Sequence, residues 1–492
     1  MRYNSEDVLT FRLLGVYFGA AAGCLMLARG FIRPIRLSAA VFLTLAPFLF
    51  AGKALLTAGV YGPIDQIYHS QPLAARRAEM GVGPTRTHDL VDVSCSMVPW
   101  QKAVREAVKN GRLPLWNRFA FTGEPLLAVL QHSALHPGTW IGFLLPLAQA
   151  WTFGMAFRMF LALAAMYLFL RELDCGEAPS LLGATAWAFS EFLFYFLEFP
   201  LQPVVSVFPL LLLGLRRLAV APGRQALGIT LVSLLLMISG GHPETLLHSV
   251  AGAGVYFLFE LSRTNWKQRF SSVGLSVVAG GLALGLSAAL LLPFREAANV
   301  TSGYAMRAHW YAKSDRSVPL TRSLRRSVKN VMPYVYGSWI DGGEDQTGPG
   351  PAAYAGSVLF PLVLVGLRSR RKEIWPFVIV GVLSASAWAR LPIINDAICQ
   401  LPLFDIAINE YMIFLAAFAV SCLAAFGLDR LGSGGGDVPS WRSGSSYLSS
   451  RCRSSSSDSM GVSAGSPGTA AWCFPSPWWY PWRCWVSYSY LF

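Results

Sequence analysis

Charged residues are scarce in this chain of 492 residues: they make up 14% of it, whereas hydrophobic residues make up 54%. A soluble domain carries roughly 25% charged residues, so this chain has too few to cover a globular surface that faces water. Several apolar runs reach the ~20 residues that are needed to cross a hydrocarbon core of ~30 Å. The sequence therefore predicts an integral membrane protein that crosses the bilayer many times.

Paired cysteines and nucleotide-binding motifs are also missing. The eight cysteines are scattered singly, without a CxxC pair or a Cys/His spacing suited to zinc. Neither a Walker GxxxxGK[ST] motif nor a GxGxxG motif after a strand is present, which disfavours nucleotide chemistry. No secretory signal peptide is evident, because the first apolar run has no small-residue cleavage site.

The formal net charge of +13 would suggest nucleic-acid binding in a soluble protein. In a membrane protein the same excess is explained by basic cytoplasmic loops and by contacts with lipid phosphates. We therefore expect membrane lipids, and no nucleic acid, among the partners of this chain.

Apolar runs bounded by charged residues, proline or glycine predict about eleven spans in an all-α, polytopic helical bundle. They lie near residues 11–29, 38–58, 151–170, 179–199, 203–218, 226–240, 245–261, 271–292, 353–367, 374–390 and 411–429. The apolar segment 138–149 is too short to span and is predicted to be re-entrant or interfacial.

Basic residues gather on alternate connections between these spans. One set of connections holds Arg33, Arg36, Arg216, Arg217, Arg224, Arg263, Lys267, Arg269, Arg368, Arg370, Arg371 and Lys372, whereas the short connections near 200–203 and 241–244 hold none. The positive-inside rule makes the first set cytoplasmic. The long polar segments 59–137 and 293–352 are then extracytoplasmic loops, and a disulfide between Cys95 and Cys399 becomes one alternative for those two cysteines.

This topology restricts the chemistry. Nucleotide sugars and ATP are cytoplasmic, so an enzyme that faces outward needs a donor already carried across the membrane. A sugar linked to a polyprenyl phosphate or pyrophosphate is such a donor. Glycosyl transfer also needs a carboxylate within about 3 Å of the acceptor hydroxyl and a cation that holds the leaving phosphate.

The first outer loop carries side chains of these types. They are the acids Asp89, Asp92 and Glu124, the cation Arg118, and the polar or aromatic residues Trp116, Asn117, Gln131, His132 and His136. The alternative for each aspartate is an N-cap or loop carboxylate that pairs with Arg86 or Arg105. Trp116 suits either a membrane-interface anchor or a ring stacked on a sugar. Asn117 suits either sugar hydroxyls or the capping of a turn.

Two further polar clusters follow. His242 and Glu244 lie in GGHPETLLH (240–248), at a break between two apolar segments, where they fit either a binding site or the cap of a helical hairpin. Arg322, Arg325, Arg326 and Lys329 recur at helical spacing in the second loop. Such spacing predicts one basic face, suited to lipid phosphates or simply to solvent.

The order of several motifs resembles the YfhO-like bacterial membrane proteins, which are similar to the GT-C class of glycosyltransferases. The motifs are an Asp, then VPW, GRLPLWN, TGEPLLA and HP in the first loop, with further similar segments across about residues 60–431. Arg118 stands where members of that family often have proline. The resemblance implies a GT-C fold over residues 1–431, a polyprenyl-phosphate-linked sugar donor and an outer-loop acid as catalytic base. It matches that acid to Asp92 or Asp89, with the second acid orienting the first or binding a divalent metal ion.

The sequence thus predicts a bacterial inner-membrane glycosyltransferase whose acceptor is a glycolipid, polymer or protein. A transporter or flippase of a lipid-linked saccharide is the alternative, and it predicts charges buried within helices, for which Lys53, Arg158 and Glu191 are the candidates. A non-catalytic scaffold of envelope assembly is a third. Residues 432–492 are rich in serine, glycine and tryptophan, which fits a disordered tail or, as we prefer, a shifted reading frame.

Overall fold

The computed structural model describes residues 5–83, 90–120, 122–300, 317–337 and 351–432. The predicted tail and Asp89 lie outside these residues. Within them the chain is mainly helical, and the only strands are the two-residue β1 (Trp116–Asn117) and β2 (Glu124–Pro125), which pair antiparallel. The fold is therefore all-α, as the composition predicts.

The helices of the described residues are numbered in chain order. They are α1 (Ser5–Phe31), α2 (Leu37–Leu45), α3 (Phe48–Leu56), α4 (Val98–Lys109), α5 (Pro137–Gly142), α6 (Leu147–Glu172), α7 (Glu177–Ala188), α8 (Glu191–Tyr195), α9 (Leu201–Ser206), α10 (Phe208–Val220), α11 (Arg224–Gly240), α12 (Pro243–Ser262), α13 (Trp266–Leu286), α14 (Ala288–Val300), α15 (Leu320–Ser327), α16 (Leu359–Leu367), α17 (Ile374–Trp388), α18 (Ile394–Ile398) and α19 (Ile413–Gly432). Short 3₁₀ or π turns cover Ile64–His69, Leu73–Arg76, Val93–Met97, Leu127–Val129, Val328–Asn330 and Asn409–Met412.

Among the described residues, six helices are long and apolar enough to cross a membrane. They are Asp7–Phe31, Leu147–Glu172, Leu201–Val220, Pro243–Ser262, Trp266–Leu286 and Asn409–Gly432. The pair α2 and α3, bent by 64°, makes a seventh if it counts as one span. The other four predicted runs hold shorter pieces: α7 and α8, α11, α16, and α17. That these four runs also cross the membrane stays a prediction.

Burial separates central helices from peripheral ones. In α6 and in Asn409–Gly432, 83% of the most apolar window is buried inside the protein, compared with 17% in α1 and in α13. Aromatic rings fill the centre, where Phe418 packs against Phe169, Trp187, Phe208 and Phe377. The apolar faces of α1 and α13 are left for lipid, as expected for outer helices of a membrane bundle.

Glycines allow the backbones of α16 and α19 to approach each other closely. A Cβ built at Gly427 of α19 would overlap the carbonyl oxygen of Leu362 in α16, and one at Gly366 would overlap that of Leu423. Small residues let helix backbones approach in this way, and packing of this kind drives helix association in membranes.

The arginines that predict the cytoplasmic side meet carboxylates at one end of the bundle. Arg216 and Arg263 bind Glu260 and Glu373, with N–O distances of 2.8 Å for Arg216–Glu260 and 2.7 Å for Arg263–Glu373. Two further pairs, Arg217–Glu172 and Arg371–Asp429, tie α10 to α6 and the segment before α17 to α19. These ion pairs clamp helices that are far apart in sequence.

Replacing Glu260 by glutamine is expected to lower the free energy of unfolding by roughly 3 kcal/mol, because it removes one of the two buried carboxylates, Glu260 and Glu373, that neutralise Arg216 and Arg263. Denaturant titration of the purified protein in detergent micelles measures the change. The matched control is Glu79→Gln, which breaks the exposed Arg76–Glu79 pair and should leave the midpoint unchanged. Equal shifts in the two variants would contradict a structural role for the buried pair.

Candidate functional site

Glu124 fixes the base of the β1–β2 hairpin in the first predicted outer loop. Its Oε1 accepts hydrogen bonds from Trp100 Nε1 (3.0 Å) and Asn117 Nδ2 (2.9 Å). Asn117 is buried, and its Oδ1 accepts a hydrogen bond from the Phe119 amide at 3.1 Å. Both polar groups of Asn117 are therefore used inside the turn, which agrees with the capping alternative for this residue.

Trp116 and Arg118 are both exposed on this hairpin. Trp116 is 58% exposed and covers Gly123, whose φ of +108° and missing Cβ make room for the indole ring. The guanidinium of Arg118 lies 4.9 Å from the ring centre of Phe119. One aromatic face and one cation are thus presented to the surroundings, as a sugar-phosphate ligand would require.

His132 is buried and neutral. Its Nε2 is 2.7 Å from the carbonyl oxygen of Leu126, its Nδ1 accepts the Ala134 amide at 3.0 Å, and burial lowers its pKa to about 4. Gln101 of α4 binds the backbone oxygen of the same residue. These contacts use both ring nitrogens to hold the loop together.

His136 begins α5 and differs from His132 in one respect. Its Nδ1 accepts the Gly138 amide at 3.1 Å, whereas its buried Nε2 has no hydrogen-bond partner among the described residues. Burial, with the charge of Arg158, lowers the pKa of His136 to about 3. The ring is therefore neutral near pH 7, and the accepting Nδ1 leaves the proton on Nε2.

Acid is expected to destabilise the fold through these two imidazoles. Below about pH 6.5 the histidines of the unfolded chain bind protons. In the folded chain the pKa is about 4 for His132 and about 3 for His136, so these two rings stay neutral over the intervening pH range. The free energy of unfolding should therefore fall with pH by roughly 1.4 kcal/mol per unit for each imidazole. Denaturant titrations from pH 7 to pH 4.5 test this: the slope of the His132→Gln variant should be smaller by roughly 1.4 kcal/mol per pH unit, and an unchanged slope would contradict the assignment.

The first loop docks on the connection between α11 and α12. Ser133 Oγ donates to the carbonyl oxygen of Gly240 at 2.7 Å. The next residue, Gly241, has φ +88°, and a Cβ built there would overlap the carbonyl oxygen of Leu130 and lie 3.4 Å from the Cα of half-buried Gln131. Two polar clusters that are about 110 residues apart in sequence therefore lie against each other.

The start of α12 in turn packs against residues 404–412. The ring of His242 lies 5.7 Å from that of Tyr411, and its Nδ1 accepts the Thr245 amide. Glu244 Oε2 accepts the amide of Ile408 at 3.1 Å, and His248 Nε2 is 3.4 Å from Asn409 Oδ1. His242 and Glu244 thus cap and brace a helix start, in agreement with the capping alternative.

The basic segment of the second loop lies beside this region. The carbonyl oxygen of Arg390 accepts the Val318 amide and the Ser323 hydroxyl, and the Arg390 side chain pairs with Glu410. The four predicted basic residues do not share one exposed face: Arg326 and Lys329 are buried, whereas Arg322 and Arg325 are exposed. Burial, with Arg390 and Arg322 nearby, lowers the pKa of Arg326.

Asp92 is exposed at the start of the turn Val93–Met97, which continues into α4. This turn packs against Ile64–His69, where Ser94 Oγ donates to the carbonyl oxygen of Pro63 at 2.9 Å. Asp65 lies on the neighbouring turn and is a further acid that the sequence reasoning missed. Its signal was the run GPIDQ after the second apolar segment.

Neither a metal cluster nor the disulfide alternative is assembled within the described part of the chain. No three His, Cys, Asp or Glu side chains there come close enough to hold a metal ion together. Cys95 is exposed and Cys399 is buried, and neither forms a disulfide in the described part of the chain, so the predicted disulfide between them is wrong.

The chain matches no protein-family model, no curated protein and no solved structure. Its function is therefore argued from the geometry above.

Proposed function

We propose that this protein is a membrane glycosyltransferase. It transfers a sugar from a polyprenyl-phosphate-linked donor to a glycolipid, polymer or protein of the cell envelope, at the outer face of a bacterial inner membrane. The observation that carries the proposal is the convergence of three polar segments at one end of the bundle. The first loop contacts Gly240 and Gly241, α12 contacts residues 404–412, and α15 contacts Arg390 beside them.

The exposed residues of this region have distinct roles in the proposal. Asp92, an exposed carboxylate, takes the proton of the acceptor hydroxyl. The exposed face of Trp116 stacks on a sugar ring, and the exposed guanidinium groups of Arg118, Arg322 and Arg325 attract the phosphate of the donor. The buried residues Asn117, His132 and His242, together with the half-buried Glu124, hold the backbone that positions them. The resemblance of the motif order to YfhO-like proteins supports the role of Asp92.

Transport of a lipid-linked saccharide is the second candidate, and one observation favours it. Arg158 lies three turns into the span α6, where Nη1 donates to the carbonyl oxygen of Leu197 at 3.0 Å. Charged residues inside a span often mark a substrate pathway. A transporter would move the saccharide without breaking its bond to the lipid phosphate.

A single preparation separates these functions. The purified chain is placed in proteoliposomes with radiolabelled polyprenyl-phosphate sugars and a membrane extract as acceptor, and transfer and translocation are counted separately. Transfer of label from the donor lipid to an acceptor supports the glycosyltransferase. Translocation without transfer contradicts it in favour of the transporter, and the absence of both leaves the scaffold. Empty liposomes and heat-denatured protein are the controls.

A further inference from the structure

A cleft of about 50 Å³ lies between α4, α5 and the first three turns of α6. Its lining includes the side chains of Gln101, Arg105, His136, Trp151 and Arg158, together with Gly154. A cavity of roughly 10–15 Å³ already admits a water molecule, so this one has room for a group of several heavy atoms. The cleft is separate from the hairpin that carries Trp116 and Arg118, and the proposed glycosyl transfer gives it no role.

The lining is cationic. Arg105 donates from Nη1 to the carbonyl oxygen of Leu145 (2.8 Å) and from Nη2 to that of Gly142 (2.7 Å), which holds its guanidinium rigidly in place. Arg158 is anchored by Leu197 in a similar way. None of the residues that line the cleft is an aspartate or a glutamate. The neighbouring acid Glu198 does not line the cleft: its Oε2 accepts a hydrogen bond from Trp151 Nε1 at 2.9 Å, and it interacts electrostatically with Arg158.

Two buried N–H donors of the lining lack an acceptor within the described part of the chain. They are His136 Nε2 and Arg105 Nε. An unsatisfied buried donor costs about 1–3 kcal/mol, so two of them beside one cavity call for a ligand that accepts hydrogen bonds. A neutral donor and two fixed guanidinium groups, without a carboxylate, select an anion with several oxygens.

We propose that this cleft binds a phosphate group, which either a membrane lipid or free phosphate supplies. The site differs from that of the proposed glycosyl transfer. Asp92 lies nine residues before Gln101 along a continuous helical segment, which places it on the order of 13 Å away. Phosphate binding here is thus independent of sugar transfer and goes beyond the proposed function.

Calorimetric titration of the full chain in detergent micelles tests the proposal with three probes: inorganic phosphate, farnesyl phosphate and farnesol. Arg158→Gln removes a cation of the lining. Gly154→Leu fills the cleft but keeps every charge, and a side chain at Gly154 meets open space, so the fold should tolerate it. The matched control is Arg112→Gln, an exposed arginine outside the cleft.

We expect phosphate affinity to fall about tenfold to a hundredfold in both cleft variants and to stay unchanged in the control. Binding of farnesyl phosphate alone identifies a lipid headgroup as the source, whereas binding of both phosphates shows that the phosphate group suffices. Absence of phosphate binding, equal binding of farnesol, or full affinity in Gly154→Leu overturns the proposal. Because the readout is binding, a failed transfer assay leaves the result intact.

Discussion

Asp92→Asn is expected to reduce the rate of sugar transfer by about 10²–10⁴-fold, because the amide no longer accepts the proton of the acceptor hydroxyl. The side chain is exposed, so its replacement by a group of the same shape should leave the fold intact. Initial rates of label transfer in proteoliposomes, together with the unfolding midpoint, measure both effects. A rate loss without a stability loss supports a catalytic role for Asp92 over a structural one.

Three further substitutions sharpen this test. Asp174→Asn is the matched control: this exposed residue lies at the opposite end of α6 and has φ +58°, a conformation that asparagine also accepts. Asp89→Asn and Asp65→Asn examine the competing acids of the first loop. Full transfer in both the Asp92 and the Asp89 variant would refute an aspartate base at these positions, and a loss confined to Asp65→Asn would move the role to that residue.

The apolar runs predicted most of the helix positions. Residues 151–170 fall inside α6, 245–261 inside α12 and 411–429 inside α19 with its preceding turn. The run 179–199 is different, because the helix stops at Ala188 and restarts at Glu191 without a proline or glycine between them. There the Glu191 amide binds the carbonyl oxygen of Tyr354, a distant tertiary contact that local sequence does not encode.

The sequence predicted which segments contribute to the candidate site, but it did not predict what each residue of those segments does. The sequence shows two similar histidines, His132 and His136, and only packing reveals that one is fully hydrogen-bonded while the other keeps a free donor. Helical spacing placed Arg325 and Arg326 on one basic face, yet the contact of α15 with Arg390 buries the second of them. From the sequence, Arg105 was only a possible partner of an aspartate and Arg158 only a charge within a span, because the cleft between them exists only in three dimensions.

Gly241→Ala is expected to undock the first loop and to lower the free energy of unfolding by roughly 2–5 kcal/mol. Two costs add here: an L-residue held at φ +88° is strained, and its Cβ overlaps the carbonyl oxygen of Leu130. If the loop moves away, the hydrogen bond from Ser133 to Gly240 breaks as well. Since the proposed site needs this contact, the rate of sugar transfer should fall with it.

Gly81→Ala separates the two costs, because Gly81 also has a positive φ (+65°) but faces open space. Both variants carry the backbone strain, and only Gly241→Ala carries the overlap with Leu130. The difference between their unfolding midpoints therefore measures the docking of the loop on the α11–α12 connection. If the two variants lose equal stability and both retain full transfer, this contact holds no functional site together, and the convergence of the polar segments no longer supports a glycosyltransferase.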